Sequence, residues 1–241
     1  MNLIKFIANR HWLNQDSVSR PDSSSKNIPA WYRNANRFAI DENGKYYELE
    51  SGGKIPTWKA CPALLDMFMC GYILKTPCDV LFYKDENNQI QIKIEDSRYD
   101  DFCVKRDQLN EFKTPIGYYS NSFAWVGDWG IETPDGYSAL YMTPANRFDL
   151  PFINTTGIID TDETGLPGSL PFFLIKDWEG TIPAGTPYAQ ILPFKREDWK
   201  SELVIEKAGT IYDRIKVNYN KFRIPNGGVY KNTLWHRKEY L

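Results

Sequence analysis

Histidine is the residue this chain has least of. There are two in 241, His11 and His236, one near each end. A three-histidine zinc site cannot be built from them, and a two-histidine, one-carboxylate iron site would need both ends to converge. The same scarcity removes the Ser-His-Asp arrangement and most histidine acid-base chemistry. Any reaction would fall to carboxylates, Lys, Arg, Tyr, Cys or a bound cofactor. The chain also lacks a charge imbalance: 29 Lys plus Arg face 31 Asp plus Glu, a formal net charge of -2. No global field would draw it to nucleic acid or to an anionic membrane. Four cysteines, Cys61, Cys70, Cys78 and Cys103, form no C-x-x-C pair. That spacing signals neither a zinc ribbon nor a thiol redox motif and predicts buried free thiols. No apolar run approaches the roughly 18 residues of a membrane span. The opening "MNLIKFIANRHW" meets Asn, Arg and His too early for a secretory signal, so a soluble, intracellular protein is expected. No P-loop occurs, and no G-x-G-x-x-G follows a strand.

What the chain does have is aromatic residues and turn formers. Aromatics make up 15%, with 8 Trp, 15 Tyr and 13 Phe, and 15 Pro and 16 Gly are spread along the sequence. Many short strands joined by turns produce this profile. "DENGKYYELESGGK", with Asn43-Gly44 and Gly52-Gly53, reads as a hairpin. "CDVLFYKDENNQIQIKIED" reads as another, because Ile90, Ile92 and Ile94 alternate with Gln91, Lys93 and Glu95. The spacing of Leu64, Leu65, Phe68 and Met69 predicts one short helix within 61–74, with Gly71 as a C-terminal stop. The Ser-rich stretch 17–27 reads as a loop or flexible arm. From 118 onward short apolar runs alternate with Pro- and Gly-containing turns, which argues for an all-β barrel or sandwich. Trp125 and Trp129, in "FAWVGDWG", fit a core or a subunit contact better than a stacking platform. The expected organisation is an N-terminal arm and α+β region, 1–117, with one hairpin and one short helix, packed on a β-rich core, 118–241, that ends in a C-terminal arm.

The stretch "GIIDTDETG", 157–165, sets Asp160 and Asp162 between glycines and ahead of the turn "GLPG". Two readings stay open. It is a polar turn capping backbone amides, or a carboxylate site held between strands. With its surroundings the segment resembles the dUTPase and dCTP deaminase superfamily. Gly157, Ile159, Asp160, Asp162 and Gly165 fit that family's third motif, and Gly185, Ala189, Gln190 and Ile191 fit its fourth. "PDGYSALYMTPANR" is similar to the strand leading into its phosphate-contacting turn. The resemblance covers about 131–194. It implies a mainly β, dUTPase-like barrel or β-clip core and a pyrimidine (deoxy)nucleotide as ligand. It also implies magnesium carried by the nucleotide phosphates, and a trimer. Asp160 would be the base, Asp162 and Glu163 would shape or charge the site, Asn146 and Arg147 would contact phosphate, and Gln190 would hold the turn. Three departures stand out: Glu163 occupies the place of the family's tyrosine, the turn Pro144-Ala145-Asn146-Arg147 lacks its serine, and Arg147 is displaced by two positions. For Arg147 a surface salt bridge with Asp149 is the competing reading. For Gln190 it is satisfaction of buried backbone.

As a whole, with "IPAWYRN", "TWKACPALLDMFMCGYIL", "TPANRFDLPF" and "GTPYAQILPF", the sequence looks like proteins of tailed bacteriophages, marine ones in particular. That resemblance implies an accessory or virion-associated protein in the host cytoplasm or the virion. Two functions follow as expectations. One is an accessory protein that binds or hydrolyses a nucleotide, and the other is a non-catalytic structural or interaction protein using the same fold for assembly.

Overall fold

The structure is a computed structural model that describes residues 2–50, 52–106, 113–205, 213–214, 216–217 and 230–240. It is mainly β. Its strands are β1 (Lys5–Ala8), β2 (Asp22–Ser23), β3 (Tyr72–Lys75), β4 (Val80–Lys84), β5 (Ile90–Lys93), β6 (Cys103–Lys105) and β7 (Tyr118–Val126). They continue with β8 (Trp129–Glu132), β9 (Tyr137–Met142), β10 (Phe152–Asn154), β11 (Gly157–Ile159), β12 (Ser169–Ile175), β13 (Gly180–Ile182) and β14 (Pro187–Lys195). The α-helices whose bounds fall wholly within the described residues are short: α1 (Ala30–Asn34), α2 (Pro62–Met69) and α3 (Thr161–Thr164). All pairings are antiparallel. They build a four-stranded sheet β10-β12-β7-β6, a five-stranded sheet β11-β9-β14-β3-β2, a three-stranded sheet β13-β4-β5 and the ribbon β1-β8. The sheets are open, and no closed barrel forms among the described residues. No helix among these residues is long and apolar enough to cross a membrane.

The chain divides into two compact units, one of Met1–Asn27, Cys70–Arg196 and Tyr240–Leu241, the other of Ile28–Met69 and Glu197–Glu239. All four sheets lie in the first unit and share one core. Its centre is aromatic. Trp125 stacks on Phe172 with ring centroids 4.1 Å apart, and Phe82, Phe123 and Phe152 meet them edge-on or offset. Trp125, Phe82, Phe123 and Phe172 are fully buried, each contributing about 2–3 kcal/mol of transfer free energy. The indole N–H of Trp125 donates to Asn154 Oδ1 (3.2 Å), and the Asn154 amide donates to the Tyr188 carbonyl (2.6 Å), so no polar atom of this pair is stranded. Strand β14 lies between β3 and β9, so both its edges are paired, and Tyr188–Ile191 are buried in succession, pointing to cover on both faces.

The hairpin expected from the Ile90, Ile92, Ile94 alternation is β4–β5, with Asn88 in the left-handed conformation (φ 60°) at its turn. The expected helix forms over Pro62–Met69. Gly71 (φ +71°) ends that segment, and a Cβ there would lie 2.0 Å from the Ile191 carbonyl oxygen, so only glycine lets β3 lie against β14. The Ser-rich stretch departs from expectation. Ser19, Ser23 and Ser24 are buried, and Asp22–Ser23 is the edge strand β2. Ser23 Oγ donates to the Tyr240 carbonyl (2.7 Å), whereas Ser24 Oγ is buried with no hydrogen-bond partner among the described residues. The thiols also divide: Cys78 and Cys103 are buried, Cys70 is half-buried and Cys61 is exposed. Burial pushes the Cys78 thiol up to about 12, which leaves it unreactive.

The second unit contains α1, α2 and an irregular ladder through Phe38↔Pro56, Ile40↔Tyr46 and Glu48↔Lys54, where the hairpin 41–54 was expected. Tyr32 packs on Phe68 (4.4 Å), and Lys59 Nζ donates to the Tyr32 and Arg33 carbonyls at the end of α1. Asp66 on α2 accepts from Trp235 Nε1 and Lys238 Nζ.

Candidate functional site

The two aspartates sit where β11 runs into α3. Strand β11 pairs with β9 so that Ile159 faces Ala139, which brings Asp160 beside Ser138. Ser138 is fully buried, and its hydroxyl donates to Asp160 Oδ1 at 2.6 Å. Thr161 turns inward and meets Thr133, hydroxyl to hydroxyl, at 2.7 Å. That contact swings Asp162 under the β8–β9 turn. There its Oδ2 accepts the Gly136 N–H (2.8 Å), and its side chain is only 4% exposed.

Arg196 closes this corner, just past the end of β14. The β9–β14 register continues through Lys195↔Tyr137, and the Arg196 N–H donates to the Gly136 carbonyl (2.8 Å). Its guanidinium spans both oxygens of Asp162, with Nη1 to Oδ1 at 2.8 Å and Nη2 to Oδ2. The same Nη1 reaches the Tyr137 carbonyl (3.0 Å), Ser138 Oγ (3.1 Å) and Asp160 Oδ1 (3.3 Å). Arg196, and then the Gly136 N–H, hold the Asp162 carboxyl down to about 2. A carboxylate that acidic is ionised at neutral pH and is a poor proton acceptor. Asp160 differs in access, with a side chain 60% exposed. Glu163 is exposed on α3, where its N–H donates to the Asp160 carbonyl (3.2 Å).

Asn146, Arg147 and Gln190 lie at the other end of β9. Asp160 is level with Ser138, and the turn begins at Thr143, about 16 Å further along at some 3.3 Å per residue. Asn146 is left-handed (φ 57°). Arg147 forms a two-point pair with Asp149 (2.8 and 2.7 Å), which holds the Asp149 carboxyl below its ordinary value. Gln190, 2% exposed, accepts the Ala145 N–H (2.8 Å) and donates to the Cys70 carbonyl (2.7 Å). It fastens the 144–147 turn to the segment just ahead of β3. The fold thus brings Asp160 and Asp162 together with Ser138 and Arg196. It sets Asn146 and Arg147, with Gln190, in a separate place.

Among the described residues, no three His, Cys, Asp or Glu side chains converge as metal ligands. The Asp160–Asp162 corner does not fit a resident magnesium ion, because both Asp162 oxygens already face donors and a guanidinium cation occupies the space a metal would need. No family model matches the chain, and no curated protein matches it in sequence.

Proposed function

We propose that the protein is a non-catalytic interaction or assembly module. The observation that carries this reading is how the candidate polar groups are spent. Asp162 is held by Gly136 and Arg196, Arg147 by Asp149, and Gln190 by two backbone groups. These are bonds that keep a fold in register, and each would have to break before its side chain could serve a substrate. The second unit offers a binding feature instead. Residues 197–205 are exposed throughout, and Trp199, Leu203 and Ile205 are 87%, 87% and 88% exposed. Apolar side chains displayed in one short run suit contact with another protein surface, either a second copy or a virion component. The likeness to tailed-phage proteins supports the same reading. Light scattering on a concentration series tests it. Association that rises with concentration and is lost in Trp199→Ser/Leu203→Ser is expected, and a wild-type chain that stays monomeric and retains no virion protein would count against it.

A second reading keeps the dUTPase-like core over 131–194 as a binder or hydrolase of a pyrimidine nucleotide. The exposed Asp160 carboxylate favours it. A copy of the chain would then have to bring its Arg147 turn to the Asp160 corner of another, as in a trimer with composite sites. A thermal-shift series with nucleotides and magnesium decides between the two. A rise in Tm for pyrimidine nucleotides that Asp160→Asn removes supports the enzyme reading, and no rise at millimolar ligand removes it.

A further inference from the structure

A second place in the first unit has the make-up of a ligand site. Between the β1–β8 ribbon and the loop that follows β1 lies a cleft of about 530 Å³. That volume is within the roughly 300–1,000 Å³ typical of small-molecule pockets. Its inner wall is apolar: Phe6, Leu13 and Trp129. Ala8 faces Trp129 across the ribbon and Phe6 lies two residues before Ala8, so both rings project from one face. Trp129 is steadied by its N–H to Ser19 Oγ (3.4 Å), and the Phe6 ring by an edge contact with Tyr72 (5.2 Å). The rim is polar: Asn14, Gln15 and Arg20. No acidic side chain lines the cleft among the described residues.

The rim is held before any ligand arrives. At its start the Asn9 N–H donates to the Asp128 carbonyl (2.9 Å), and Arg10 Nε donates to the Asp128 carboxylate (2.7 Å). Arg10 also reaches Asp101 and lies over the rings of Trp12 and Tyr99, both 5.7 Å away. Turns from Leu13 to Arg10, Ser17 to Asn14 and Arg20 to Ser17 fold the loop, and β2 fastens its far end to β3. Arg20 donates to the Gln15 carbonyl (3.1 Å), and no carboxylate pairs with it among the described residues. Lys75 stands nearby. Burial, with crowding from Arg20 and Lys26, presses its ammonium below its ordinary value against the pull of the Asp22 carboxylate, which also pairs with Lys26. A guanidinium that meets no carboxylate among the described residues, lining one cleft with two aromatic rings, is matched by an anion carried on a flat aromatic body.

We propose that this cleft binds a planar aromatic compound bearing a phosphate or carboxylate, of the size of a nucleoside monophosphate. The ring would lie against Trp129 and Phe6. Arg20 would take the anion, with Asn14 and Gln15 available to the ring's polar edge. The proposal does not depend on the Asp160 corner or on residues 197–205. Calorimetric titration of the full chain with AMP and UMP tests it, with adenosine and inorganic phosphate as the two half-ligands. One-to-one binding of a monophosphate is expected, at least about tenfold tighter than either half. Arg20→Gln, an exposed change that leaves Tm in place, should weaken it by about tenfold, and Trp129→Phe should weaken it less. Asp160→Asn should leave it unchanged, which separates this site from nucleotide binding at the β11–α3 corner. Absence of binding at millimolar AMP and UMP overturns the proposal. So does an affinity that Arg20→Gln leaves intact.

Discussion

Arg196 meets Asp162 at the β11–α3 corner, and Arg10 meets Asp128 beneath the β7–β8 turn. The chemistry is the same, and the two carboxyls move in opposite directions. Asp162 falls to about 2 because Arg196 and the Gly136 N–H both serve its charged form. Asp128 rises above its ordinary value because burial outweighs what Arg10 supplies. The difference lies in the second oxygen. Both oxygens of Asp162 face donors, whereas Asp128 Oδ2 is buried with no hydrogen-bond partner among the described residues. A guanidinium always favours the charged carboxylate, and whether the carboxyl falls depends on whether that gain exceeds the cost of burial, which is larger where an oxygen is left without a donor.

Linkage gives these shifts opposite pH signatures. Asp162, depressed in the folded state, contributes stability that is fully present above its unfolded value near 4 and is lost as pH falls through about 2. Asp128, raised in the folded state, binds its proton more readily folded than unfolded. Its contribution is greatest below the unfolded value and is lost as pH rises through the folded one.

Breaking the buried pair should have the larger effect. Arg10→Ala leaves Asp128 charged and unpartnered with its side chain 2% exposed, and about 3–5 kcal/mol of unfolding free energy should disappear in urea titration at neutral pH. A loss below about 1 kcal/mol would mean that Asp128 is neutral in the folded state. Asp128→Asn removes the charge together with the pairing and should cost less, about 1–2 kcal/mol. It should also abolish the decline in stability as pH rises through the folded Asp128 value, a slope read from unfolding curves at several pH values. Arg196→Gln should have the smallest effect on stability at neutral pH. Its signature is a carboxyl titration by NMR, with Asp162 moving up from about 2 toward the ordinary value near 4 while the Gly136 N–H still holds it partly down. An unmoved Asp162 would transfer the cause from Arg196 to the backbone.

What could be read from the sequence was what is encoded locally. The β4–β5 hairpin follows from alternation over a few residues, and α2 follows from apolar spacing with Pro62 at its first position and Gly71 beyond its end. The mainly β class follows from aromatic and turn content. What escaped was set by partners far away in sequence. "SVSRPDSSSKN" looks like a solvated arm because its burial depends on Tyr72, Ile73 and Tyr240, the last 217 residues away. Arg196 lies in "FKREDWK", a charged run that reads as surface, and only the β9–β14 register carries it to Asp162. Gln190 in an apolar strand was the one polar residue there whose position hinted at its task. Arg10 carried no local signal, since both its carboxylate partners, Asp101 and Asp128, lie about ninety residues or more away.

The β1–β8 ribbon sets a schedule for the protein during synthesis. Lys5 pairs with Glu132, 127 residues later. At about 5–20 residues per second, β1 waits roughly 6–25 s on the ribosome before its partner exists. Throughout that interval Phe6 has no strand to lie beside, and the wall of the cleft it shares with Trp129 is unbuilt. A chaperone that shields short apolar segments therefore has a long opportunity with β1, which stays unpaired from its own synthesis until β8 is made.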